Sequence, residues 1–414
     1  MKKILRIGIL LTLISSVLLS CADKCTDTFE VTEYIPIVHQ VADVRNSFEV
    51  LEPTDIKEPG KLYVYNDLLF VVEKYKGFHI INNSNPSAPV RIQFIGLAGC
   101  TDVVAKGTYV YANNGNDLVT IEALGNQYNL VDRIKNVFDL FETHNEQIEI
   151  GFEVEKTWVT SEEYNCEKPR WFSRQEDWDL TGNSADQGSS GRGGSTARMA
   201  VVENYIYAVD RRELMSIDVS NPSAPGPVVK NNIENWNEIE TIFPMGDYLF
   251  IGTTTGMEIY NFRQNPASPT YEGTAEHIRS CDPVVVEGDI AYVTTYGGNL
   301  CSGGANLLQV FNVKNPKNPE RLATYGMTHP LALGIDGTTL FICEGEHGLK
   351  IFDASNPNKI LDNKLADLPG LQANDVIPLN GILIVTANDG VYQYDYTNPR
   401  NLTLLSKLYD LKTE

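Results

Sequence analysis

Three ionisable side chains crowd into four positions at Glu344, Glu346 and His347. A carboxylate beside an imidazole can relay protons or help hold a metal ion. The wider sequence lacks a second histidine cluster, a His-Glu-x-x-His motif or a calcium-binding loop, so the group reads better as a solvated turn. A second set is Asp102, Arg198, Glu240, Asp282, His329 and Asp375. Each stands at or near the start of a short apolar run. If those runs lie side by side, their first residues ring one opening, where they could bind a cation or a polar ligand. Hydrolysis or elimination would need Asp282, Asp375, His329 and His347 to converge there. The blander reading makes these residues strand ends tied to neighbouring strands.

A third concentration is aromatic. Trp158, Trp171 and Trp178, three of the chain's four tryptophans, fall within residues 142–195. Tryptophan offers a broad stacking surface and is enriched at binding hot spots. It also supplies a small core to an insertion that cannot bury much alone. The same stretch ends in the Gly-rich run 188–195. No Gly-Lys-Ser/Thr follows that run, so it reads as a flexible hinge rather than a phosphate loop.

What positions these residues is a phrase that keeps returning. Asn-Pro occurs at Asn85-Pro86, Asn221-Pro222, Asn265-Pro266, Asn315-Pro316, Asn356-Pro357 and Asn398-Pro399. Three or four residues ahead stands a short polar residue: Asn82, Asp218, Asn261, Asn312, Asp353 or Asp395. Such side chains accept from turn N–H groups, and proline presets φ. These aspartates are therefore expected to brace turns, not to catalyse.

The last copy shows the unit. Apolar runs at 375–377, 382–385, 391–394 and 402–408 are separated by Asn380-Gly381, by 388–390 and by the Asn-Pro turn. Asn-Gly between apolar runs is a strong hairpin signal. The unit is four antiparallel strands. Spacings of 44, 50, 41 and 42 residues repeat it, and the 136 residues from Asn85 to Asn221 hold two periods plus an insertion of about 54. Seven copies result, beginning near Pro59, Cys100, Thr196, Glu240, Cys281, His329 and Asn374. Four-stranded units of this length point to an all-β fold, a seven-bladed β-propeller over 59–414 with one long loop insertion at 142–195. Residues 34–38 are expected to form a strand helping to close the ring. On this topology the insertion joins the face that carries the strand starts. Cys281 and Cys301 fall on that face within one blade, and a disulfide is expected between them; Cys100 and Cys166 form a possible second pair, while Cys343 reads as a buried thiol.

Ile217-Asp218-Val219-Ser220-Asn221-Pro222, Gly348-Leu349-Lys350-Ile351-Phe352-Asp353 and Tyr392-Gln393-Tyr394-Asp395-Tyr396 resemble the LVIVD-repeat proteins. The resemblance runs from residue 59 to the C-terminus, though the second copy lacks Asn-Pro. It implies an envelope lipoprotein of Bacteroidetes-like bacteria with a propeller fold, and it carries over no catalytic residue.

The N-terminus fits that address. Lys2, Lys3 and Arg6 precede an apolar run at 7–19 and then Leu18-Leu19-Ser20-Cys21, which resembles a lipobox. Residues 1–20 are expected to be a signal peptide, Cys21 the lipidated residue and 21–58 a tether. An acyl chain contributes about 0.8 kcal/mol per buried CH₂, enough to join a soluble domain to a membrane. Export favours disulfides. The net charge of −21 disfavours nucleic acid. The expected function is a surface-exposed, outer-membrane lipoprotein that binds a protein partner or a glycan, with no catalytic residue, metal or cofactor. The alternative is an envelope hydrolase or lyase acting on polysaccharide at the channel mouth.

Overall fold

The computed structural model describes residues 28–160, 182–183, 191–195, 197–233, 238–276, 283–297 and 305–408. Within them the apolar runs become strands because β-branched and aromatic residues alternate with turn residues. Ile382–Ala387 (ILIVTA) follows Asn380-Gly381, whose φ values of 51° and 82° suit a tight hairpin.

Seven antiparallel units of four consecutive strands are present among the described residues. Blade 1 comprises, from the inner strand outward, Pro59–Tyr65, Leu68–Glu73, Gly77–Asn82 and Val90–Gly96. Blade 2 comprises Val103–Lys106, Tyr109–Asn114, Asp117–Leu124 and Gln127–Ile134. The inner strands of blades 3 to 7 are Met199–Val202, Ile239–Met245, Val284–Glu287, Ala332–Asp336 and Ala373–Leu379. Inner strands of successive blades lie against one another, and blade 7 returns to blade 1, so the units form a β-propeller.

The repeated phrase has a mechanical role. At all six Asn-Pro sites the asparagine carbonyl accepts the N–H three residues on, at 2.9–3.2 Å. The preceding Asx side chain accepts a turn N–H two residues ahead of it, at 2.7–3.0 Å. The turn then presents its proline carbonyl to the blade before it. Tyr111 Oη donates to Pro222 O, Tyr207 Oη to Pro266 O, Tyr325 Oη to Pro357 O and Ser406 Oγ to Pro86 O, at 2.6–2.9 Å. A proline carbonyl has no N–H neighbour of its own turn to satisfy it, so a cross-blade hydroxyl suits it. Removing one hydroxyl by Tyr207→Phe is expected to destabilise the protein by about 1 kcal/mol in urea unfolding. No loss would mean the latch contributes nothing.

Blades 1 and 7 meet where no covalent link joins them. Ile56, Leu62, Val64, Leu69, Val71 and Ile81 pack there against Ile377, Ile384, Val391 and Leu408. Asn83 and Gln393 exchange two side-chain hydrogen bonds of 2.9 and 2.7 Å across the junction.

The expected closing strand at 34–38 does something else. It lies within Thr28–Gln40, which forms a three-stranded sheet with Gln147–Thr160 and Thr143–His144. The alternating apolar residues of Gln147–Thr160 offer it a period-2 partner, whereas the blade junction is already filled by the cluster above. The segment read as tether also contains the short helix Val41–Arg45 and the strand Glu49–Leu51, which extends the outer edge of blade 1.

The chain divides into two compact units. Residues 1–35 and 152–174 form one, described over parts of the two long strands; residues 36–151 and 175–414 form the other, which contains the ring. The end of the insertion belongs to the ring unit and corrects the hinge reading. Arg192–Ser195 is a strand, paired antiparallel to the inner strand of blade 1 through Arg192↔Val64 and Gly193↔Tyr63. Gly182–Asn183 pairs with it in turn. A glycine-rich run needs only backbone hydrogen bonds to form a strand, and a bare inner edge supplies them.

Candidate functional site

Blade 1 places one charge in an otherwise apolar inner strand. Lys61 is 2% exposed, and its Nζ lies 2.9 Å from Asp102 Oδ2 at the start of blade 2. The same oxygen accepts Arg198 N at 2.7 Å and Met199 N at 3.0 Å from the start of blade 3, while Oδ1 accepts Val103 N at 2.8 Å. One carboxylate thus joins three blades. Burial pushes the Lys61 amine down to about 8; Asp102 opposes that shift and the Arg198 charge adds to it. Such an amine has the basicity of a catalytic lysine. Its burial against Asp102 makes it a structural group here.

The strand-start residues therefore divide. Asp102, Arg198 and Asp375 come together around Lys61, all buried, and Asp375 Oδ1 accepts Val376 N at 2.7 Å. Glu240 lies in Ile239–Met245 and is half-buried. His329 is half-buried and meets the Tyr296 ring edge-on, with centroids 5.6 Å apart. Asp282 lies outside the described residues. Sequence reasoning found three members of this cluster and missed Lys61, whose signal was its isolation within Pro59–Tyr65.

The acid–histidine group of blade 6 does not assemble as a unit. Glu344 is 1% exposed, ion-paired with Lys350, and accepts Thr328 N at 2.8 Å. Glu346 and His347 remain outside, 3.7 Å apart and largely solvated. Blade 1 repeats the Glu344 arrangement. Glu73 accepts Lys57 N at 3.1 Å and Glu58 N at 2.8 Å and meets His79 Nε2 at 3.0 Å. Burial would raise the Glu73 carboxyl, but His79 and the two backbone N–H groups hold it below its ordinary range. Both carboxylates anchor the backbone that leads into an inner strand. They are braces rather than acids or bases.

Within the insertion, Trp158 is 68% exposed; Trp171 and Trp178 lie outside the described residues. The possible Cys100–Cys166 pairing meets a correction at its first member. Cys100 is a free, fully buried thiol whose Sγ lies 3.8 Å from Asp102 O. Desolvation raises its pKa and disfavours the reactive thiolate. Cys166, Cys281, Cys301 and the lipidation residue Cys21 lie outside the described residues, and Cys343 is a free, buried thiol. A further cluster escaped the sequence reading. Asp117 accepts Arg45 Nε at 2.8 Å, Arg133 Nη1 at 3.0 Å and Asn136 N at 2.9 Å, tying the helix Val41–Arg45 to blade 2.

The LVIVD repeat matches at residues 60–93 and 193–231. No curated protein matches the chain. Among solved structures it is similar to the computationally designed Ika8 protein (TM-score 0.52, 10% identity, covering 86% of this chain and 88% of that one). It is similar to the periplasmic gluconolactonase PpgL of Pseudomonas aeruginosa (TM-score 0.51, 10% identity, 85% and 96% covered). It is also similar to Sqt1 of Saccharomyces cerevisiae (TM-score 0.51, 9% identity, 88% of each covered). At these identities the likeness is one of fold. The chain is a β-propeller that carries LVIVD repeats.

Proposed function

We propose that this protein is a non-catalytic binding or assembly module, anchored by a lipid on Cys21 at the outer membrane and facing the cell surface. Its partner is a protein of an outer-membrane assembly or a glycan. One observation carries the choice of binding over catalysis. Among the described residues proposed for turnover, Asp375 is buried and accepts Val376 N, His329 packs on Tyr296 and His347 stands in a solvated turn beside Glu346, an arrangement that favours internal bracing over a shared catalytic centre. Against this, Trp158 presents a large aromatic surface to solvent. Exposed tryptophans of this kind act as anchors in protein interfaces and as platforms for sugar rings.

The test is capture from solubilised membranes with Trp158→Ala beside the wild type, plus a glycan binding screen. Trp158→Ala is expected to weaken the captured partner or glycan by about 2 kcal/mol, roughly thirtyfold. Equal capture by both proteins would remove the insertion from recognition. Turnover of a polysaccharide by the wild type would replace the binding reading with the enzymatic one.

A further inference from the structure

A propeller's inner strands have one edge that no neighbouring strand of the same blade covers, and those edges line the channel. In blade 1 that edge is taken by Arg192–Ser195. The strand and its partner Gly182–Asn183 also lie against the inner strands of blades 6 and 7. Arg192 Nη2 donates to Ile335 O at 3.0 Å, and Leu333 N donates to Ser195 Oγ at 3.0 Å, both on the inner strand of blade 6. Where the chain leaves the channel toward blade 3, Ala197 O accepts Ile242 N of blade 4 at 2.9 Å. The fit demands small residues. A Cβ on Gly191 would stand 2.2 Å from the Tyr63 ring, and one on Gly193 would stand 3.3 Å from Ala197 Cβ.

We propose that residues 182–183, 191–195 and 197 are a built-in channel plug, which fills the ring's centre and locks blade 1 to blades 4, 6 and 7. The insertion is therefore part of the ring's closure and not only an appendage to its face. The lock acts at the junction that most needs it. The chain crosses every boundary between successive blades except that between 7 and 1, and the plug pairs with the inner strand of one while resting on the inner strand of the other. Its bonds go to backbone groups that an open channel would leave to water. A ligand cannot enter the channel while the plug is seated, so recognition by this protein uses its outer surfaces.

Amide hydrogen exchange on the intact protein tests this directly. The Leu333 and Ile242 amides are expected to exchange at least about a hundredfold more slowly than the exposed turn amide of Gly246, because their acceptors belong to the plug. Ser195→Ala is expected to speed exchange at Leu333 about tenfold while leaving the blade 2 amide of Val119 unchanged. A bulkier Gly191→Leu is expected to raise exchange at both plug-bonded amides. Exchange at Leu333 and Ile242 as fast as at Gly246 in the wild type would overturn the proposal. So would Ser195→Ala and Gly191→Leu variants that match the wild type at both amides. If Gly191→Leu does not fold, the wild-type and Ser195→Ala rates decide alone.

Discussion

Lys61→Met is expected to lower stability by about 3 kcal/mol at pH 7, measured by urea unfolding. Methionine keeps much of the apolar stem but cannot donate to Asp102, so the loss is chiefly that of the carboxylate's hydrogen-bonded partner. Asp102 is then left buried, with three backbone N–H groups but without the amine that pairs with it. Breaking a buried pair by removing one partner leaves an uncompensated charge, whereas neutralising both partners does not. Adding Asp102→Asn to Lys61→Met should therefore recover part of the loss, since the amide oxygen still accepts Arg198 N and Met199 N and only Val103 N loses its acceptor. If the double variant is as unstable as the sum of the singles, the two groups are not coupled and the pair is incidental.

The same lysine gives a signature in pH. Its folded amine titrates at about 8, against an ordinary value of 10.5. Between those values the unfolded chain keeps a proton that the folded chain has released. Stability then rises with pH across that window, by at most about 3 kcal/mol at about 1.4 kcal/mol per pH unit. Buried phenols act in the opposite sense. Desolvation raises Tyr63, Tyr111 and Tyr207, so above about pH 10 the unfolded chain loses protons that the folded one retains, and stability falls. Subtracting the Lys61→Met curve from the wild-type curve removes the phenols and leaves the lysine. A flat difference from pH 8 to 10.5 would place the amine's proton elsewhere.

How much of this was legible in the sequence depends on how local the cause is. The Asn-Pro phrase and its Asx brace are contacts within six residues, so composition and spacing expose them. The four-stranded unit follows from alternation and Asn-Gly turns, as in Ile382–Ala387. Pairing partners brought in from far along the chain are another matter. Residues 34–38 announce a strand, but nothing in their pattern distinguishes the blade junction from the edge of Gln147–Thr160. Arg192–Ser195 is harder still, because glycine carries no side-chain period and its strand exists only through an edge 128 residues away, at Val64. The charged cluster failed in a third way. Asp102, Arg198 and Asp375 were found by position, yet their role depends on Lys61, and no sequence spacing connects residues 61 and 375.

The junction of blades 1 and 7 should behave as one cooperative unit despite joining the two ends of the ring. Leu69 is wholly buried there, within reach of residues contributed by both blades. Leu69→Ala is expected to lose 2–5 kcal/mol, the transfer term plus the cavity left behind. Leu340→Ala, equally buried in the cluster shared by blades 4 to 6, provides the comparison. The two should cost similar amounts, because deletion volume and burial are alike. Their exchange patterns should differ. Blades 5 and 6 are held by a covalent link, so damage at Leu340 raises exchange around that cluster and leaves the first blade protected. The 7–1 junction has side-chain contacts and the plug alone, so damage at Leu69 should speed exchange in blade 1 and in blade 7 together, although they are more than 300 residues apart in sequence. Faster exchange confined to blade 1 would show that the ring holds its last blade by other means.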